Sequence, residues 1–129
     1  MKTQLSMKPL TTTMMVMVLI LILVLKPGLG ADKCPTEPRC YCKWLSGKRL
    51  ADCKNAGFTN IPEKLNPETQ ILILDNNHLG HLEKDAFKSA GLLNLQKLEL
   101  KSCHIEVIHE HAFRDLKILM EVDIRLEFI

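Results

Sequence analysis

The feature that most constrains this 129-residue chain is a spacing of apolar residues that fits neither a helical nor a simple strand period. Between residues 95 and 113 run Leu95, Leu98, Leu100, Cys103, Ile105 and Ile108, followed by Ala112 and Phe113. The same spacing occurs upstream at Thr69, Leu72, Leu74, Asn77, Leu79, Leu82, Ala86 and Phe87. It starts again at Leu119 with Val122, Ile124, Glu127 and Ile129. Leu72 precedes Leu98 by 26 residues, and Leu98 precedes Val122 by 24. A unit of that length has one apolar side that it cannot bury alone, so it requires stacked neighbours and a cap at the end of the stack.

The pattern L-x-x-L-x-L-x-x-N/C-x-L, repeated every 20 to 29 or so residues, is that of leucine-rich repeats. The expected fold is therefore an α/β solenoid over 67–129, two full repeats and one partial, with short parallel strands on its concave face. Each L-x-L pair turns two leucines inward and leaves the intervening Ile73 or Glu99 on the opposite face. Asn77 falls where the chain leaves the strand, and its amide suits backbone groups that the turn would otherwise leave without partners. Cys103 holds the same place in the second repeat, where a small buried thiol can act as a weak donor. As the odd cysteine of five it also raises the rival reading of a reactive or intermolecular thiol. Glu127 departs from the pattern, because an ionised acid cannot donate to carbonyls. Phe87 and Phe113 follow the matching runs Lys84-Asp85-Ala86 and Glu110-His111-Ala112 and should stack on the convex side. Recurrence at the repeat period favours that reading over a cofactor pocket.

The first thirty residues read as a signal peptide. Lys2 and Lys8 precede a run without polar side chains from Met14 to Leu25, and Lys26-Pro27-Gly28-Leu29-Gly30-Ala31 supplies small residues for cleavage. A bilayer-spanning helix needs about 20 apolar residues, so this run fits a signal segment better than a retained anchor. Removing 1–30 takes away three lysines and no acids, leaving 14 basic against 15 acidic residues. The basic whole-chain balance is then no argument for nucleic acid.

All five cysteines follow the leader and would meet an oxidising compartment. Cys34, Cys40, Cys42 and Cys53 lie within twenty residues, in a polar segment, 31–66, that has too little core to fold unaided. Zinc sites commonly repeat paired thiols two to four residues apart, which this spacing does not, so two disulfides are expected. Spacing alone allows three connectivities, and adjacency disfavours Cys40 with Cys42. Each short loop so closed stabilises the cap by about 2 to 3 kcal/mol. The cap should end in Phe58, Ile61 and Pro62, bridging onto the first repeat. A small basic cluster in the cap, Lys43, Lys48, Arg49 and Lys54, reads as a solvated face, with contact to an anionic polysaccharide as the sharper alternative.

The segments Lys43-Trp44, Pro67-Glu68-Thr69-Gln70 and Ala90-Gly91-Leu92-Leu93-Asn94-Leu95-Gln96 resemble the N-terminal part of the kekkon family. These are insect transmembrane proteins in which leucine-rich repeats precede an immunoglobulin domain. The likeness covers about Cys34 to Ile124. It implies a non-enzymatic cell-surface recognition or receptor-modulating protein. The cap modules that this segment resembles pair Cys34 with Cys42 and Cys40 with Cys53. The gap between Cys34 and Cys40 exceeds the family's usual three residues, and the given sequence contains no membrane span, so the family's anchoring does not carry over.

The leading functional expectation is an extracellular module whose concave face grips another secreted or cell-surface protein. Its contact positions are Gln70, Ile71, Ile73 and Asp75 in one repeat and Gln96, Lys97, Glu99 and Lys101 in the next. Ile71 and Ile73 would be exposed branched residues able to anchor a partner, unless cap loops cover them. No nucleic acid, small-molecule substrate, cofactor or metal is expected. A hydrolase or metal enzyme built on His104, His109 and His111 is disfavoured, because the spacing misses H-E-x-x-H and no nucleophile elbow is present. A third reading is a non-functional truncated form of such a receptor, since a final repeat without a cap would leave an open edge. Asn66 is followed by Pro67, so no N-glycosylation sequon occurs.

Overall fold

The computed structural model describes residues 11–25 and 32–126. Helix α1, Thr12–Leu25, takes up the apolar run that begins at Met14. No helix among the described residues is long and apolar enough to cross a membrane. The expected cleavage segment, together with Glu127 and Ile129, lies outside the described residues.

The cap is built on a hairpin of β2, Tyr41–Leu45, and β3, Lys48–Asp52, with the short β1, Asp32–Lys33, paired to the start of β2. Ser46 and Gly47 join the two strands with φ of 51° and 78°. A two-residue turn with both φ positive matches the twist of its strands, which is why glycine is useful there. The structure pairs Cys34 with Cys42 and Cys40 with Cys53, tying the segment before the hairpin to both of its strands.

From β3 onward the strands run parallel. β4, Ile71–Ile73, β6, Lys97–Ile105, and β8, Glu121–Leu126, complete a six-stranded sheet in the order β1-β2-β3-β4-β6-β8. The register sets Ala51, Leu72, Leu98 and Val122 side by side. The three repeats thus form one column, as their spacing predicts. Ala51, Leu72 and Leu98 are fully buried, whereas Val122 is 38% exposed because β8 has a described neighbour on one side only.

Behind the sheet, β5, His81–Leu82, pairs with β7, Val107–Ile108, in a second parallel ladder. The helical content of the repeats is a single turn, α2, Ala86–Ser89. Phe87 is fully buried and lies parallel to the ring of Phe113 at 5.6 Å, so the convex side carries the expected pair of rings.

The turn out of each strand repeats as well. Asn55, Asn76 and Ser102 all have φ between 51° and 57°. Asparagine tolerates this left-handed region better than most residues. Immediately after Asn76, the Asn77 amide accepts from Ala56 N and Phe58 N (3.2 and 2.9 Å) and donates to Cys53 O and Leu74 O (2.9 and 2.8 Å). One buried side chain therefore satisfies backbone groups of both the cap and the first repeat. Cys103 does less with its thiol, which donates to Leu74 O at 3.0 Å.

Candidate functional site: the concave sheet

Side chains between the buried positions form two rows across the open face of the sheet. One row runs Lys43, Leu50, Ile71, Lys97, Glu121, and the other Tyr41, Asp52, Ile73, Glu99, Asp123. Neighbours along each row are cross-strand partners, so their side chains meet. The sheet thus brings Ile71 beside Lys97 and Ile73 beside Glu99, while Asp75 reaches Lys101 from the turn.

The repeat half of this face is a lattice of charges. Lys97 Nζ lies 3.5 Å from Glu99 and 3.4 Å from Glu121, and Lys101 Nζ lies 4.0 Å from Asp75 and 3.8 Å from Asp123. The hydrogen bond to Glu121 is the main cause that holds the Lys97 ammonium above its ordinary value. Asp75 Oδ1 also accepts Lys101 N at 2.8 Å, fixing the turn that carries it. Exposed pairs of this kind contribute little stability, but they leave the surface mostly self-neutralised.

The end of the face nearest the cap is different, and here the expectation of an exposed Ile71 requires correction. Ile71 is only 9% exposed, since Leu50 of the cap lies beside it on one side and Lys97 on the other, so it is not a free anchor. Gln70 is half-buried: its Oε1 accepts Arg49 N at 3.0 Å, and its carbonyl accepts from Gln96 N and Lys97 N at 2.7 and 3.1 Å. Gln96 is half-buried and its carbonyl receives the next strand in the same way, from Met120 at 2.8 Å. Ile73 is half-buried. The apolar surface on offer lies further into the cap, at Tyr41, with Leu45 at the hairpin tip, both nearly half exposed.

These cap residues are missing from the sequence-based set. Their signal was available: a Ser-Gly pair between two five-residue runs is a hairpin cue, and the hairpin prolongs the sheet by one antiparallel strand.

The histidines do not converge. His104 stacks on His78 at 4.7 Å, while His109 Nδ1 accepts His111 N at 3.0 Å. No group of three or more metal-ligating side chains occurs among the described residues.

The architecture is a leucine-rich-repeat solenoid with a disulfide-bonded cap, and residues 67–125 match the leucine-rich repeat family model. The chain thus carries a leucine-rich-repeat array over 67–125. It is 38% identical over 84 residues to human leucine-rich repeat-containing protein 3B, covering 65% of this chain and 30% of that protein. With human reticulon-4 receptor-like 2 it shares 34% identity over 96 residues, 74% of this chain and 21% of the relative. The crystal structure of human 5T4, trophoblast glycoprotein, superposes with a TM-score of 0.61 at 28% identity, over 72% of this chain and 32% of that one. The chain therefore spans less than a third of each of these relatives.

Proposed function

We propose that the concave sheet is an extracellular protein-binding surface, exposed after residues 1–30 are removed as a signal peptide, and that the chain is not an enzyme. The observation that carries this reading is the two-row face in strict cross-strand register. Its cap end offers Tyr41 and Ile73, and its repeat end the paired charges of Lys97, Glu99, Lys101 and Asp75. A partner that sets apolar side chains against Tyr41 and Ile73 and exchanges ion pairs with the lattice would gain area and register together. Runs such as Lys43-Trp44 and Ala90–Gln96 support a place among receptor-modulating proteins like the kekkon family. The relatives support the secreted or cell-surface setting.

The test uses chain secreted with its own leader and binding to a panel of intact cells. Ile73→Ser and Tyr41→Ser should each abolish cell binding, while secretion yield stays near wild type; a serine is used at 73 because Asp52 and Glu99 flank that position. Lys117→Glu, away from the sheet, should have no effect. Ile71 is left intact, because its burial would confound affinity with stability. Binding that survives both concave substitutions would refute the proposal.

A further inference from the structure

The flank of the cap carries a groove that meets the concave face only at Lys43 and Leu50. Two adjoining cavities, of about 110 and 720 Å³, share Cys42, Arg49 and Asn66 in their walls. Their cations are Lys43, Arg49 and Lys64, and no carboxylate lines either one. Trp44 forms one end and is 63% exposed; the Arg49 guanidinium covers one face of its ring at 4.6 Å. Pro35, Leu65 and Pro67 form the apolar wall at the other end.

The fold sorts the basic cluster of the cap. Lys54 is paired with Asp52 at 3.4 Å, and Lys48, at the hairpin tip opposite Leu45, lines neither cavity. Lys64, fifteen residues beyond Arg49, joins the groove instead. Of the acids around this set, Glu68 is 3.6 Å from Arg49 and three-quarters exposed, while Glu37, whose charge also acts on Lys64, is held by Arg39. Asn66 accepts Glu68 N through Oδ1 at 2.8 Å, which leaves its amide nitrogen for a ligand. Thr36 donates its hydroxyl to Lys64 O and keeps acceptor capacity.

We propose that this groove binds a sulfated glycosaminoglycan chain. A pyranose ring presents a flat C–H face that fits the open side of Trp44, and each sugar unit also carries anions and hydroxyls. Arg49 and Lys64 would take the sulfates and carboxylates, with Lys43 at the groove's edge toward the concave face and Asn66 and Thr36 facing the hydroxyls. An acidic peptide satisfies the cations but supplies no repeating flat ring for Trp44 and the Pro35, Leu65 and Pro67 wall.

The test is calorimetric titration of the whole chain with a heparin-derived octasaccharide at about 0.15 M salt, where weak long-range attraction is screened. Lys64→Glu should weaken binding about tenfold and flatten its salt dependence, since one ionic contact is lost. Trp44→Ala should weaken it by a similar factor with the salt dependence unchanged. Lys54→Glu makes the same charge change outside the groove and should stay within about twofold of wild type. Trp44 and Lys64 are exposed, and an unchanged unfolding midpoint establishes that their variants fold. Ile73→Ser should leave octasaccharide binding intact, so this site and the concave surface fail or stand separately. No binding at that salt, an equal loss in Lys54→Glu and Lys64→Glu, an unaffected Trp44→Ala, or equal competition by a hexaglutamate peptide would each overturn the proposal.

Discussion

Replacing Asn77 with alanine tests how the cap is held to the repeats. The side chain is 3% exposed, and its amide serves Phe58 N, Ala56 N, Cys53 O and Leu74 O. The substitution leaves Phe58 N and Cys53 O in buried surroundings without this partner. Leu74 O keeps the Cys103 thiol, and the part-buried Ala56 N can reach water. Two stranded groups at about 1 to 3 kcal/mol each, softened by local relaxation, give an expected loss of about 2 to 4 kcal/mol. That is a large fraction of the roughly 5 to 15 kcal/mol that holds a domain folded. Urea unfolding of the oxidised protein should show the midpoint falling at unchanged slope. Asn77→Asp separates the two halves of the interaction: a carboxylate still accepts from Ala56 N and Phe58 N but cannot donate to the two carbonyls. At neutral pH it should therefore be at least as damaging as Asn77→Ala. A change below about 0.5 kcal/mol in Asn77→Ala, the size of an ordinary surface substitution, would refute this account. An Asn77→Asp variant as stable as wild type would show that the donor half contributes nothing.

Phe87→Ala should cost about 3 to 5 kcal/mol by calorimetry, because it empties a fully buried ring site, and Phe113→Ala distinctly less, since Phe113 keeps one side in solvent. Stability should also fall with acid. Hydrogen bonds from Arg114, Lys88 and Arg39 are the main causes that hold the carboxyls of Asp85, Asp115 and Glu37 below their ordinary range. Depressed folded-state values stabilise the protein above the unfolded-state carboxyl pKa of about 4, and that contribution is lost as pH falls through the folded values. The thermal midpoint should thus be flat from neutrality to about pH 5 and decline below about 4, with a shallower decline in Asp85→Asn.

The solenoid was legible because its signal is spacing, and spacing survives without knowing any contact. Leu72, Leu98 and Val122 occupy one column for the same reason that they recur at the repeat period. Asn77 showed its role by chemistry, as a buried amide at a strand exit. The face of the sheet was harder to read, because period-2 reasoning says which way Ile71 points but not what stands beside it. Its concealment depends on Leu50, brought alongside by a parallel pairing across 21 residues. The stack of Arg39 over the Phe58 ring at 4.0 Å, with Glu37 accepting from Arg39 Nε at 3.0 Å, had no sequence cue at all. It arises where the loop before β2 folds back on the last part of the cap.

The two sulfur bridges have a consequence for when this surface can exist. Cys40 and Cys42 flank Tyr41, the most exposed ring of the open face, and each is bonded to a residue outside β2, Cys53 and Cys34. With both bonds reduced, the hairpin edge would lose its staples and the apolar end of the face its footing. A reduced copy would therefore present only the charged half of the proposed binding surface. The binding proposed for this face would thus switch on with oxidation of the two cysteine pairs.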